Sequence, residues 1–306
     1  MDIWMWIYCF MIGYVVAYSK KENGLLLNNL LLLFALPMIG YSIYLYLSVN
    51  LLVANIKTAD VALILLAIFP LTLRLKNEAL KILAISFIGL IAMLSFKRTI
   101  ILGVVMMASI YYYSILTKTK FLRWQKVVFS LLLIIGGIVL YRAFNFIEQE
   151  SGGYILSRLS SIQEDRGSKR VDIYIELLQS FAASNIGEML FGHGYLATAK
   201  YTELEILAHN DFLEIIFDFG LIALIAYVVF FFRLLGYTRK IYQYRNLVDT
   251  NLSVFIAGLV AFLFLGLLNC FITTPIYFST VLLFFGLSIG DFEREKLKLK
   301  LKEQNQ

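Results

Sequence analysis

Apolar runs of membrane-crossing length alternate with short polar breaks along most of this 306-residue chain. A helix needs about 17 to 25 residues to cross a hydrocarbon core. Nine stretches approach or meet that length: residues 3–18, 25–48, 59–75, 78–95, 99–116, 127–144, 219–236, 252–271 and 274–290. The pattern predicts an all-α polytopic membrane protein, a bundle of about nine transmembrane helices. One interval breaks the rhythm. Residues 145–218 are too many for a simple connector and too apolar for disorder, so they are expected to fold against the bundle as one long, partly helical extracytoplasmic loop. The chain then divides into N-terminal transmembrane helices (1–144), this loop (145–218), C-terminal transmembrane helices (219–290) and a basic tail (291–306).

Inside the loop, "SKRVDIYIELLQSFAAS" offers Ser168 as a helix N-cap and places Val171, Tyr174, Leu178 and Phe181 on one stripe at helical spacing. It predicts an amphipathic helix lying on the membrane or on the other helices. "MLFGHGYLAT" follows, and the glycines on either side of His193 mark a turn where backbone runs close to something. "YTELEILAHNDFLEII" leads back to the bilayer, with Asn210 or Asp211 placed to cap the incoming helix.

Composition agrees with the pattern. The chain is 60% hydrophobic and 16% charged with a mean hydropathy of +0.78, whereas soluble domains are about a quarter charged. Basic loops are retained on the cytoplasmic face, and one orientation satisfies every loop: seventeen Lys and Arg residues, from Lys20 to the tail ending at Lys302, fall inside. The N-terminus and residues 145–218 are then outside. That outer segment carries five bases against twelve acids, so the net charge of +6 records topology and implies no nucleic-acid partner. Cys9 and Cys270 lie in apolar runs without metal-ligand spacing and read as small buried hydrophobes. "MDIWMWIYCF" lacks a basic leader region and a small-residue cleavage site, and reads as a retained span.

Three further features now combine. "LSFKRTIILGVVM" puts Lys97 and Arg98 on a short outer turn between two spans, Arg170 opens the amphipathic helix, and "FGHGY" precedes "AHNDFLEIIFDFGLIALIAY" entering a span. This order resembles the O-antigen polymerase and O-antigen ligase superfamily over residues 80–290. The resemblance implies an enzyme of the bacterial plasma membrane that transfers glycan from a polyprenyl-diphosphate carrier to an acceptor hydroxyl at the outer face. Polymerases extend another lipid-linked repeat unit, giving O-antigen, capsule or exopolysaccharide; ligases transfer to a lipid A core. The partners implied are the lipid-linked oligosaccharide, the bilayer, a flippase and a chain-length regulator, with no cofactor. The chain has fewer spans than the ten to fourteen usual in that superfamily.

The chemistry such a transfer requires can be set against these residues. A diphosphate leaving group gathers negative charge, and arginine stays charged while presenting a planar fork of donors. Arg98 and Arg170 are the diphosphate candidates carried over from the resemblance, with Lys97 beside them. The acceptor hydroxyl must lose a proton, and an imidazole is the natural base near neutral pH. His209 is that candidate; His193, set between glycines, reads as loop packing. Asn210, Asp211 and Glu214 are candidates to orient His209 or to hold sugar hydroxyls, beside the capping role that Asn210 and Asp211 also fit. No metal-ligand spacing occurs around the two histidines, and no Gly-rich phosphate loop is present. A transporter or flippase of lipid-linked glycan stands as the rival reading. It would more often show internal repeats and ionisable residues at mid-membrane, whereas here the polar residues gather at the outer lip.

Overall fold

In the computed structural model the described residues are 3–19, 44, 51–75, 77–95, 97–117, 138, 141–142, 145, 149, 170–202, 206–244, 252–268 and 275–304. Among them the fold is all-helical: α1 (Ile3–Tyr18), α2 (Leu51–Thr72), α3 (Glu78–Leu94), α4 (Arg98–Thr117), α5 (Arg170–Ala182), α6 (Ile186–Phe191), α7 (Ala197–Tyr201), α8 (Asp211–Gln243), α9 (Leu252–Leu268) and α10 (Pro275–Gln304). Two helices, Asp211–Gln243 and Ile276–Gln304, are long and apolar enough to cross a membrane, and five shorter apolar helices accompany them. The expected runs 25–48 and 127–144 lie outside the described residues but for isolated positions. The tail does not leave the bundle as a separate segment. α10 continues through the Lys/Leu alternation to Gln304 without a break.

In lipid, helices associate through close packing because apolar burial offers little drive there. The tightest contact joins the two ends of the chain. A Cβ at Gly286 would lie 2.1 Å from the Phe10 carbonyl oxygen, one at Gly290 2.4 Å from that of Tyr14, and one at Gly13 2.5 Å from that of Leu283. Gly286 and Gly290, four apart on α10, thus form a small-residue groove against α1. Trp6 meets Phe278 at the start of this contact and Arg294 donates to the Ala17 carbonyl at its end, 2.8 Å away. α1 and α10 therefore run parallel.

Polar residues bolt one end of the bundle. Arg74, just past α2, donates to Ser288 (2.9 Å) and pairs with Asp291, which also pairs with Arg294 (3.0 Å). Buried Lys81, in the first turn of α3, donates to the Tyr111 hydroxyl on α4 (2.6 Å). Lys97 follows the far end of α3, which lies roughly 20 Å along the helix from Lys81 at about 1.5 Å per residue. The bundle thus has two chemically distinct ends.

The segment between α4 and α8 builds a small core of its own. Ile173, Leu177, Ala197, Ala208 and Phe217 are buried together, flanked by Tyr174, Phe181 and Leu213. The single stripe expected for α5 is corrected here: Tyr174 and Phe181 pack inward, but Val171 and Leu178 are 46% and 54% exposed, while Ile173 and Leu177 are buried. Residues 171, 175 and 178 form a second apolar face, so helical spacing alone offered two stripes. Phe217, Ala197 and Ala208 select between them. Ser168, the expected cap, lies outside the described residues.

Candidate functional site

α8 is broken at Gly220, whose φ of 81° and ψ of 179° are closed to other residues without strain. The break separates a short helix, residues 211–219, from the spanning part, residues 221–243. Gly192, also at φ 81°, lies against it: a Cβ at Gly192 would fall 2.3 Å from the Asp218 carbonyl oxygen, and one at Gly220 would fall 2.2 Å from that of Leu190. Two chain segments cross here in backbone contact, which explains the glycine before His193. The His193 and Gly194 amides donate to the Phe217 and Asp218 carbonyls, both at 2.9 Å.

His193 completes this clasp. Its ring stacks on Phe217 with centroids 4.3 Å apart, Nδ1 faces the Phe217 carbonyl at 3.1 Å, and Nε2 lies 2.9 Å from the Ser184 hydroxyl. The Asp218 carboxylate accepts from the Leu196 and Thr198 amides (2.8 and 2.9 Å), tying α7 to the same point. Both residues are spent on architecture.

The other histidine stands in different surroundings. Asn210 caps α8, its side-chain oxygen accepting from the Phe212 and Leu213 amides at 3.0 and 3.3 Å. His209 precedes it in the left-handed region at φ 54°, a conformation that costs a non-glycine residue about 1 kcal/mol. Glu214, one turn into the helix and fully buried, accepts from the His209 amide (3.3 Å) and holds that conformation. Asp211 is fully buried as well. The Tyr227 hydroxyl faces its carboxylate at 3.4 Å, and Gly266 of α9 lets both approach, since a Cβ there would lie 3.0 Å from either oxygen.

Two of the expected cations, from segments distant in the chain, act electrostatically on the His209 ring. Burial, then the charge of Arg170, then that of Lys97 lower its pKa from 6.5 to about 4. Arg170 opens α5 and its Nη1 donates to the Leu268 carbonyl (3.2 Å) at the C-terminus of α9, where the helix dipole favours a cation. Lys97 sits just before α4, its carbonyl accepting the first helical bonds from Ile100 and Ile101. Arg98 is the first residue of α4 by its backbone; its side chain lies outside the described residues.

Beside this polar cluster lies an apolar cleft of about 330 Å³ between α8, α1 and α10, walled by Ile215, Ala223, Tyr227, Phe230, Trp6 and Phe278 among others. Its α8 wall takes residues from both sides of the Gly220 break, Ile215 and Phe219 before it and Ala223 to Phe230 after it. Tyr227 belongs to both cleft and cluster. Sequence reasoning missed Tyr227, Gly266 and the Leu268 carbonyl, because a tyrosine, a glycine and a helix end inside apolar runs carry no local mark of what they touch.

Among the described residues no group of three His, Cys, Asp or Glu side chains is disposed to hold a metal ion. The fold and site define a helical membrane protein that gathers one histidine and basic side chains at one end of its bundle, beside a folded segment inserted between apolar helices. Residues 82–228 match the family model described as O-antigen ligase, a stretch that contains Lys97, Arg98, Arg170 and His209. That match, over just under half of the chain, supports the O-antigen ligase and polymerase superfamily, whose members are membrane glycosyltransferase-like enzymes. No curated protein matches it.

Proposed function

We propose that this protein polymerises lipid-linked glycan repeat units at the outer face of the bacterial plasma membrane. The observation that carries the reading is that the charges of Arg170 and Lys97 act on partly buried His209, while Tyr227 links Asp211, two residues on, to an apolar cleft. The acceptor hydroxyl attacks the anomeric carbon of the donor glycan, the bond from that carbon to the diphosphate oxygen breaks, and its electron pair leaves with the diphosphate. Arg170 and Lys97, with Arg98 from the same turn, offset the charge that develops. His209 takes the hydroxyl proton. Its low pKa keeps the imidazole neutral, so that one ring nitrogen carries no proton, and the Asn210 cap and the Glu214 carboxylate fix the backbone that presents it. The apolar cleft suits the chain of the carrier. All cationic charge in this scheme comes from side chains, so the transfer is metal-independent.

Ligation to a lipid A core is the second reading, favoured by the description of the matching family model. The test is elongation of a synthetic polyprenyl-diphosphate oligosaccharide by the purified protein, with lipid A core offered in a parallel reaction. A ladder of lengthening products that His209→Ala and Arg98→Ala abolish supports the polymerase; transfer to lipid A core alone assigns a ligase. If neither acceptor is used while proteoliposomes move the carrier across the bilayer, the enzyme reading fails and a flippase replaces it.

A further inference from the structure

α6 exposes the wrong residues for a helix in water. It has only six residues, yet both ends are fixed: Asn185 and Glu188 form a reciprocal capping box, and the Gly192 amide closes on the Glu188 carbonyl at 2.7 Å. On this rigid platform Ile186 is 77% exposed and Phe191 71%. Neither packs into the segment's own core.

The neighbouring surface explains them. The Leu190 carbonyl rests against Gly220, so Phe191 lies within about a turn of the residues that begin the spanning part of α8. Those residues, Leu221, Ile222 and Ile225, are also exposed and apolar. Further along, Val229 and Phe232 extend the same face. On a helix long and apolar enough to cross a membrane, such a face meets lipid.

We infer that α6 is embedded in the bilayer interface, with Ile186 and Phe191 among the upper acyl chains as a continuation of the lipid-facing surface of α8. The occupant of this surface is the bilayer, because the apolar patch continues a lipid-facing helix without interruption. The consequence is positional. Through the Gly192–Gly220 crossing, the depth of α6 fixes the outer segment, and with it the height of His209 relative to the membrane. The inference is independent of which glycan transfer the protein performs.

The test uses the full chain in nanodiscs of phosphatidylethanolamine and phosphatidylglycerol, with no other protein present. Single cysteines at positions 186, 191, 200 and 232, in a Cys9→Ala, Cys270→Ala background, carry an environment-sensitive fluorophore. Nitroxide-bearing lipids and aqueous iodide serve as opposing quenchers. Position 232 sets the value for a lipid-facing span residue and position 200, an exposed lysine of α7, serves as the comparison in the outer segment. An interfacial helix buried about 5–10 Å deep should show, at positions 186 and 191, at least about half the lipid quenching of position 232, with shielding from iodide. Free iodide access and no lipid quenching at both positions would overturn the inference and leave a protein partner as the occupant to seek. Because each side chain is largely exposed, labelling either one leaves folding intact, and agreement between the two positions guards against a local artefact.

Discussion

The pKa of His209 makes the sharpest test of the site. At about 4 in the free protein, the ring is neutral at pH 7 but three orders of magnitude too weak to be a well-matched base there, since an effective base has a pKa near the working pH. Two of its three causes are cationic charges that a diphosphate would offset. Substrate binding should therefore raise the pKa, making the base stronger only once the carrier is seated. At pH 5.5 a group with pKa 4 is about 3% protonated and one with pKa 6.5 about 90%, so the difference is easily read. The acid limb of kcat/KM, which reports the free enzyme, should fall near pH 4, and the limb of kcat, which reports the complex, at higher pH. Arg170→Gln should move the free-enzyme limb upward. It should stop short of 6.5, because burial is the largest cause and remains.

With only two histidines, the ring carbon resonances of the labelled protein in nanodiscs follow the same titration directly, His209→Gln supplying the assignment. A free-protein pKa near 6.5, or no upward movement on adding a polyprenyl diphosphate, would refute the reasoning and remove His209 as the base. Stability carries the same sign. The unfolded chain takes up a proton between about pH 6.5 and 4 that the folded chain does not. The contribution of this residue to stability is therefore whole above pH 6.5 and falls as pH drops through that window.

His193→Ala should lower stability by about 1–3 kcal/mol through the lost ring stacking and hydrogen bonds, yet leave elongation per folded molecule unchanged, whereas His209→Ala should cost about 10²–10⁴ in rate; activity normalised to monodisperse protein separates the two. Gly220→Ala and Gly192→Ala should each destabilise by more than about 1 kcal/mol, measured by thermal unfolding in detergent, while Gly236→Ala, with nothing near its Cβ, should be neutral or slightly stabilising. Gly286→Leu should force α1 off α10 and lower the melting temperature, and unchanged melting would mean that the helices separate at little cost.

How much of this was legible follows from where the physics lies. Apolar runs reported helices well: 3–18, 78–95, 99–116 and 252–271 coincide with α1, α3, α4 and α9 to within a few residues, because a lipid-crossing helix must satisfy its backbone locally and advertises that need as length. The gathering of Lys97, Arg170 and His209 was an expectation from resemblance that residue spacing alone could not supply, since 112 positions separate the first from the last. What hid was the interlock. "FGHG" announced a close approach but not its object, and "DFG" inside an apolar run looked like uninterrupted helix, although Gly220 breaks it. Neither glycine is interpretable without the other. This pairing also explains why two histidines in similar polar contexts diverge. His193 sits where backbone crosses backbone, so each ring nitrogen faces a partner and its ring is stacked. His209 sits one residue before a capped helix, under the charges of Arg170, which opens α5, and of Lys97, just before α4. A ring held by its neighbours builds structure, and a ring whose proton is expelled by them is ready for one from a substrate.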